Sequence, residues 1–347
     1  MINYKRQVVQ DDLKTLYNES IDWSALKNKS ILITGATGML ASYFSFMIQY
    51  LNEQDFGIKL FLLARNKNKL EQFFGIESDD IIFIIQDICE KIEILEDVDY
   101  IFHAAGAASP YYIINDPVGI IKANTLGTIN VLEFARKAKT KKVIFTSTRE
   151  VYGKVENQEY ISESDMGVTD PLEARSCYPE SKRMAETILK SYSIQYRIPF
   201  NTIRIAHTYG PGMQLSNDGR VMADFLNDAI NRRDININSE GKAVRAFCYI
   251  TDAIEAIFRI LINGKHDEAY NVANETEPIR LIDLAKMIQR ITSNNKNVKT
   301  LMDIKKIEGY CAYKPAELDT RKIDKLGWKP KVSLEEGIEK TLKFYNR

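Results

Sequence analysis

Cysteine is scarce: Cys89, Cys177, Cys248 and Cys311 are the only four in 347 residues, and no two form a CxxC pair. That spacing suggests neither a zinc site nor a disulfide framework. It points to reduced thiols packed as small apolar groups, and no metal site is expected. Net charge is lacking as well, with 47 Lys+Arg against 47 Asp+Glu. A neutral chain has no global attraction for nucleic acid or an anionic membrane, and neither partner is expected. An anionic small molecule remains open, because it needs only a local cluster of donors. No run is apolar for long enough to span a bilayer, and Met1–Asp11 lacks the apolar stretch of a secretion signal. A cytoplasmic location is the expectation. No repeat or low-complexity linker breaks the chain. What is present is an ordinary globular balance, 45 % hydrophobic and 27 % charged, in a chain long enough for one large domain or two.

Leu13, Leu16 and Tyr17 have helical spacing, and Trp23 and Leu26 can anchor this opening segment to the body. Residues 1–29 therefore read as an N-terminal extension. From Ser30 the pattern changes. Short apolar runs at 30–34, 59–63, 81–85, 100–103, 142–146 and 201–205 read as strands. Helical patterns at 39–51, 125–138 and 180–196 lie between them. Strands alternating with helices predict an α/β fold, a doubly wound parallel (Rossmann) sheet whose ligands sit at the carboxyl ends of the strands. After about residue 206 turn-rich stretches and helices at 222–232, 252–262 and 281–291 suggest a smaller C-terminal lobe. The expected division is a dinucleotide-binding domain over 30–206, to which 243–263 returns. A substrate-binding lobe would comprise 207–242 and 264–347.

The first strand runs into Thr34-Gly35-Ala36-Thr37-Gly38-Met39-Leu40-Ala41. Glycines at such a turn let the backbone approach a pyrophosphate, and the helix that follows directs its amino end at the negative charge. Gly35, Thr37, Gly38 and Met39 are thus candidate cofactor contacts. Ala41 stands where the third glycine of the usual pattern would be, small enough for close helix packing. The second strand ends in Ala64-Arg65-Asn66-Lys67 rather than at an acidic residue. Arg65 can meet a 2′-phosphate, favouring NADP, or stack on adenine and accept NAD. Asp87 and Ile88 follow the third strand and can contact adenine. Ala104, Ala105 and Gly106 supply small residues where a cofactor would cross the fourth strand.

Tyr178 and Lys182 lie four residues apart, one turn along one helical face. A neighbouring ammonium stabilises phenolate, so the expectation is a Tyr178 pKa below its ordinary value of about 10, suited to acid/base work on a hydroxyl. Just upstream, Phe145–Gly153 (FTSTREVYG) leaves a strand with Thr148 able to share the proton path and Glu150 offering a carboxylate.

Together these stretches resemble the extended short-chain dehydrogenase/reductase family of nucleotide-sugar epimerases, dehydratases and decarboxylases. The resemblance is carried by the GxxGxxA turn, His103–Gly106, Asn124, Ser147–Gly153, Tyr178/Lys182, Arg204-Ile205 with Tyr209-Gly210-Pro211, and Arg245-Ala246-Phe247. Within the family the likeness is closest to the UDP-glucuronate decarboxylases, through Ala108-Ser109-Pro110, Arg175–Arg183 (RSCYPESKR), Asn217–Val221 (NDGRV) and Val244–Tyr249 (VRAFCY). The resemblance implies catalytic roles for Thr148, Glu150, Tyr178 and Lys182, with Tyr178, Lys182 and Asn124 also at the cofactor. It places Ser109, Thr148, Arg149, His207, Arg220, Val221 and Arg245 at the substrate. For Arg245, holding phosphate and taking part in catalysis both remain open. Arg220 can hold diphosphate or be solvated, His207 can touch substrate or be structural, and His266 is assigned nothing.

The implied reaction is internal redox at a nucleotide diphosphate sugar. Hydride leaves C4 for the nicotinamide, the 4-ketone labilises the C6 carboxylate or the C5 proton, and the hydride returns. A cofactor regenerated in place favours NAD. A 4,6-dehydratase resembling this stretch would carry Asp-Glu at 149–150, whereas Arg149 stays charged and donates protons poorly. Glu150 in turn is more than a simple 4-epimerase requires. Decarboxylation passes both tests, although a small hydroxyl residue is usual at 149 there. The family also implies a homodimer built on the helix that carries Tyr178.

Overall fold

The computed structural model describes residues 3–156, 158–216, 218–293, 296–301 and 317–345. Asn217 of the NDGRV stretch and Cys311 lie outside the described residues, as does 302–316 of the expected smaller lobe. Seven parallel strands form the central sheet: β1 Ser30–Thr34, β2 Lys59–Ala64, β3 Ile81–Ile85, β4 Tyr100–His103, β5 Lys142–Thr148, β6 Phe200–Ile205 and β7 Glu268–Val272. Their order across the sheet is β7-β6-β5-β4-β1-β2-β3. The six strands expected from the sequence are all present. β7 is additional: it falls in the stretch assigned to the smaller lobe but pairs with β6 from Glu268↔Asn201 to Val272↔Ile205. Its sequence, EAYNV, has two polar residues in five and carries no long apolar run to announce it. An edge position, paired on one side only, lets such a strand form.

The interior strands are buried on both faces, as the continuous apolar runs require. Ile31 and Ile33 pack into one core with Phe44, Leu62 and Phe258. Leu32 points the other way, into a second core with Leu63, Ile101, Val131 and Phe145. Helices α1 Gln7–Tyr17, α2 Met39–Asn52, α3 Pro117–Lys137, α4 Cys177–Tyr196, α5 Ile250–Asn263 and α6 Leu334–Tyr345 cover these faces. Phe44 of α2 stacks on Phe258 of α5 at 4.2 Å between ring centroids, joining two distant segments across one face. The chain runs outward through β1, β2 and β3 and then returns to β4 on the far side of β1. That reversal opens a crevice at the carboxyl ends of β1 and β4, where doubly wound sheets take their ligands. Short ladders occur outside the sheet: Thr208–Tyr209 with Cys248–Tyr249, and Val244–Arg245 with Ile279–Arg280. No helix among the described residues is long and apolar enough to cross a membrane.

The N-terminal extension is tied into the body by a buried carboxylate. Asp12 on α1 is fully buried and accepts from Tyr43 Oη of α2 at 3.1 Å and from Tyr249 Oη at 2.7 Å. Lys340 of α6 reaches its other oxygen at 3.3 Å. Four segments thus share one group. Asp12→Ala would strand two buried hydroxyls and a partly buried ammonium. It should lower stability by about 3 kcal/mol, measured by thermal or denaturant unfolding. A loss below about 0.5 kcal/mol, the level of an ordinary surface substitution, would contradict this role.

Candidate functional site

β1 ends at Thr34, and Gly35 turns the chain with φ +67°, a conformation that favours glycine. A Cβ there would lie 2.8 Å from Cα of Ala105 and 2.9 Å from its N, so the two backbones touch. Gly38 then caps α2, with Met39 as its first residue. The unpaired N–H groups of this helix start face the crevice end of the sheet, as an anion-binding turn requires.

The neighbouring turn, Ala104–Gly106, is held from beneath by a hydrogen-bond relay. Ala105 N donates to Thr34 Oγ1 at 3.2 Å, Thr34 Oγ1 meets His103 Nδ1 at 2.7 Å, and His103 Nε2 meets Thr128 Oγ1 at 3.1 Å. Thr128 spends its own hydrogen on the Asn124 carbonyl at 2.5 Å, so it can only accept from His103. That assigns the proton to Nε2 and leaves Nδ1 to accept from Thr34. The relay is complete with a neutral ring, and burial, aided by the Lys182 charge, pushes the His103 pKa down to about 3. The sequence places His103 only as a motif residue; the structure makes it the prop of this turn.

A group depressed in this way makes stability depend on pH. Below about pH 6.5 the unfolded chain takes up a proton on His103 that the folded chain refuses, so stability falls as pH falls. The expected loss is about 1.4 kcal/mol per pH unit from this residue. Buried Asp252, raised to about 7, acts in the opposite sense over roughly pH 7 to 4, so the readout is the difference between the wild type and His103→Gln. Unfolding curves from pH 7 to 5 should show a flatter dependence in the variant. Parallel dependences would overturn the assignment.

Gly106 continues the cradle at φ +144°, where a Cβ would come within 2.6 Å of Asn124 Oδ1. Asn124 donates to Ser181 Oγ at 2.9 Å, while its Oδ1 is buried without a partner. Ser109 Oγ, Thr146 Oγ1, His207 Nε2 and Thr208 Oγ1 are also buried without a partner. Buried polar atoms normally find partners, and the unpaired Asn124 Oδ1 beside Gly106 leaves an acceptor that a ligand can use. This cradle, with its glycine turn and helix start, suits an extended dinucleotide. Just past the end of β2, Arg65 is largely exposed and lies 3.7 Å from the Asp87 carboxylate. Asp87 Oδ1 accepts from Cys89 N at 2.8 Å, and that backbone bond leads the effects that hold the carboxyl below its ordinary pKa. Ile88 is buried beside Gly127 of α3.

Tyr178 and Lys182 are one turn apart on α4, both buried, as their spacing predicts. The expected fall in the Tyr178 pKa is not found. Burial and then the Glu150 carboxylate push the phenol above its ordinary value, while Thr148, Arg175 and Arg220 pull it back. Lys182 instead donates to the Thr146 carbonyl at 2.7 Å and lies over the Phe145 ring. Desolvation of the ammonium lowers its own pKa to about 7. Spacing put the two groups on one face, but burial outweighs a neighbouring charge that is itself desolvated.

Thr148 ends β5, bonds Tyr178, and accepts from Glu150 N at 3.2 Å. Glu150 is ion-paired to Arg175 at 2.5 Å, a partner inside the RSCYPESKR stretch to which sequence reasoning assigned no role. Burial raises the Glu150 pKa against the pull of Arg175 and Arg149. His207 follows β6 in a left-handed conformation, φ +44°, with its ring near Phe247. Burial, with Arg149 and Arg245 alongside, lowers its pKa to about 3 and keeps it neutral. Arg220 forks onto Asp218 at 2.5 and 2.8 Å, so its guanidinium has a carboxylate partner within the chain and is not simply solvated. Val221 opens the helix Val221–Ile230 directly after it. Arg245 bonds its neighbour's carbonyl, Val244 O, at 2.8 Å. Glu275, just beyond β7, shares the electrostatic field of Arg149 and had no signal in the sequence.

A hydride-accepting cofactor in the crevice would find a buried tyrosine, a lysine and a carboxylate gathered beside it. The family pattern for NAD dependent epimerases and dehydratases matches residues 31–273, from β1 to just past β7. The chain belongs to the NAD dependent epimerase/dehydratase family. Among curated members, UDP-glucuronic acid decarboxylase 6 of Arabidopsis thaliana is 32% identical over 319 residues, covering 90% of this chain and 87% of the relative. UDP-glucuronic acid decarboxylase 1 of Xenopus tropicalis is 31% identical, covering 92% and 72%. Among solved structures, UDP-glucose 4-epimerase of Thermotoga maritima with UDP-glucose is 25% identical, with a TM-score of 0.78 over 91% of this chain and 98% of the other. Like other members of the epimerase/dehydratase family, this chain is an enzyme.

Proposed function

We propose that this enzyme is a UDP-glucuronate decarboxylase that holds NAD and works through a 4-keto sugar. The observation that carries the reading is the meeting of Tyr178, Thr148 and Glu150 beside Lys182 at the end of β5. The similarity to decarboxylases over about nine-tenths of the chain supports the substrate.

Gly35, Thr37, Gly38 and Met39 would receive the pyrophosphate, Ala104–Gly106 and Asn124 the nicotinamide half, and Arg65, Asp87 and Ile88 the adenosine. Asp87 beside Arg65 favours NAD over NADP, since its negative charge repels a 2′-phosphate. Detecting NADP in the denatured protein by mass spectrometry would reverse that choice. Bound NAD supplies a hydride acceptor that is restored within each cycle.

As the phenolate, stabilised by a hydrogen bond from Thr148 and by the Lys182 charge, Tyr178 removes the proton of the sugar 4-hydroxyl and becomes the phenol. The 4-ketone makes the C6 carboxylate a β-keto acid. The C5–C6 bond breaks, its electron pair enters a C4–C5 enolate, carbon dioxide leaves, and C5 is reprotonated. Glu150, its pKa raised, suits the C5 proton transfer. Ser109, His207, Arg220, Val221 and Arg245 would line the nucleotide and sugar.

Incubation with UDP-glucuronate should release carbon dioxide and form UDP-xylose. Turnover of a neutral UDP- or dTDP-hexose in its place would defeat the reading. Arg149 favours a second reading, 4-epimerisation of the same acid, because a small hydroxyl residue is usual at this position in the decarboxylases. UDP-galacturonate as the sole product would establish it. For assembly, Val118, Ile121 and Leu126 of α3 and Met184, Ile194 and Tyr196 of α4 are exposed and support pairing of these helices in a homodimer. A monomer in sedimentation at working concentration would refute it.

A further inference from the structure

Two arginines of the RSCYPESKR stretch grip the single turn Arg149–Tyr152 that follows β5. Arg175 Nη2 donates to Glu150 Oε1 at 2.5 Å, and Arg183 Nε donates to the Val151 carbonyl at 2.6 Å. Arg183 Nη2 also reaches the Gly167 carbonyl at 3.0 Å. Arg183 thus fastens the backbone of the turn to α4, whereas Arg175 holds its one carboxylate. Arg175 lies in a short turn of its own, Ala174–Ser176. Ser176 closes that turn, its N–H donating to the Glu173 carbonyl at 2.9 Å and its Oγ to the Asp170 carbonyl at 2.5 Å. The chain passes from there straight into α4, and Tyr178 is three residues on.

The Arg175 and Glu150 side chains are only 15 % and 25 % exposed. A pair so covered differs from a surface ion pair, because removing the cation leaves a carboxylate without compensation. Glu150 also donates its N–H to Thr148 Oγ1 at 3.2 Å. Its backbone is therefore fixed to the hydroxyl that bonds Tyr178, and its carboxylate to the segment that leads into Tyr178. The charged and titratable groups around the carboxylate are Arg149 on its own turn, Arg175 on the facing turn, and Cys177 and Tyr178 on α4. Burial works against its charge, and Arg175 leads the effects that favour it.

We infer that Arg175 is the positioning residue for Glu150: it supplies the counter-charge that holds the carboxylate beside Tyr178, and it acts on the reaction through Glu150. The inference rests on the decarboxylase reading above for the step it serves. In that step C5 of the enolate gains a proton from the Glu150 carboxyl. The O–H bond breaks, its electron pair stays on oxygen, and the new carboxylate faces Arg175. Solvent returns the proton before the next cycle. Without Arg175 the carboxyl would hold its proton more tightly and deliver it from a looser position.

Carbon NMR of the whole protein labelled at glutamate Cδ tests this without turnover. The Glu150 signal is the one missing from Glu150→Gln. Its titration midpoint should rise by about one to three pH units in Arg175→Gln and by less in Arg175→Lys, which keeps the charge but not the planar fork. Arg183→Gln loosens the same turn without uncovering the Glu150 charge, and should leave the midpoint where it is. In turnover of UDP-glucuronate, Arg175→Gln should lower kcat about 10–100-fold at nearly constant KM. Reduced nicotinamide should accumulate in its absorbance, because hydride removal at C4 precedes the slowed step. In a Glu150→Gln background the same substitution should cost less than about twofold. A midpoint unmoved in Arg175→Gln, an equal rise in Arg183→Gln, or the full loss again in the Glu150→Gln background overturns the inference. No carbon dioxide from the wild type, with the midpoint still raised in Arg175→Gln, would remove the decarboxylase reading and leave Arg175 in its role.

Discussion

Tyr178→Phe is expected to lower kcat by about a thousandfold, within the 10²–10⁴ range for loss of a positioned acid/base group. The substitution removes one oxygen from a buried ring and keeps the ring's packing against Ile113 and Ile120. Folding and nucleotide-sugar binding should therefore be retained, with KM changed by less than about fivefold. Thr148 would lose its partner on Tyr178 and keep the bond it accepts from Glu150 N. Activity within tenfold of the wild type would show that another group takes the 4-hydroxyl proton. The high resting pKa of Tyr178 sharpens the expectation. Burial and Glu150 make phenolate costly in the free protein, so the environment, not the tyrosine alone, must favour its formation during the reaction.

Gly35→Ala should be the most damaging single methyl in the cofactor crevice. The new Cβ would sit 2.8 Å from backbone atoms of Ala105, which no side-chain rotation relieves. The left-handed φ of +67° adds about 1–2 kcal/mol of its own. Either β1 or the Ala104–Gly106 turn must move, and the His103 relay beneath that turn moves with it. We expect a destabilisation of at least about 2 kcal/mol and loss of bound cofactor by at least a hundredfold in affinity. Gly38→Ala is the control. Its φ is −76° and its Cβ would meet only the Gly35 carbonyl, at 3.2 Å, so the fold should tolerate it. Equal melting temperatures for the two variants would contradict the close-approach argument.

Much of this fold is legible in the chain because it is encoded locally. An apolar run such as SILIT can only be a strand buried on both faces when a glycine turn and a helix follow it. The Tyr178/Lys182 spacing is a property of one helix and holds wherever that helix packs. Strand β7 escaped because Glu and Asn interrupt EAYNV and its pairing with β6 comes from a segment more than sixty residues away.

The sequence by itself determined the doubly wound sheet, the glycine turn after its first strand and the list of groups that can do chemistry. Periodicity and i,i+4 spacing are short-range, so residues close in the chain were enough to fix them. Tertiary structure alone decided which charges meet: Glu150 with Arg175, Arg220 with Asp218, and Asp12 with Lys340. It also reversed the expected direction of the Tyr178 shift. Both outcomes have one cause. Ion pairing and desolvation depend on distance and burial in space, and those are set by how the strand ends converge, not by separation along the chain.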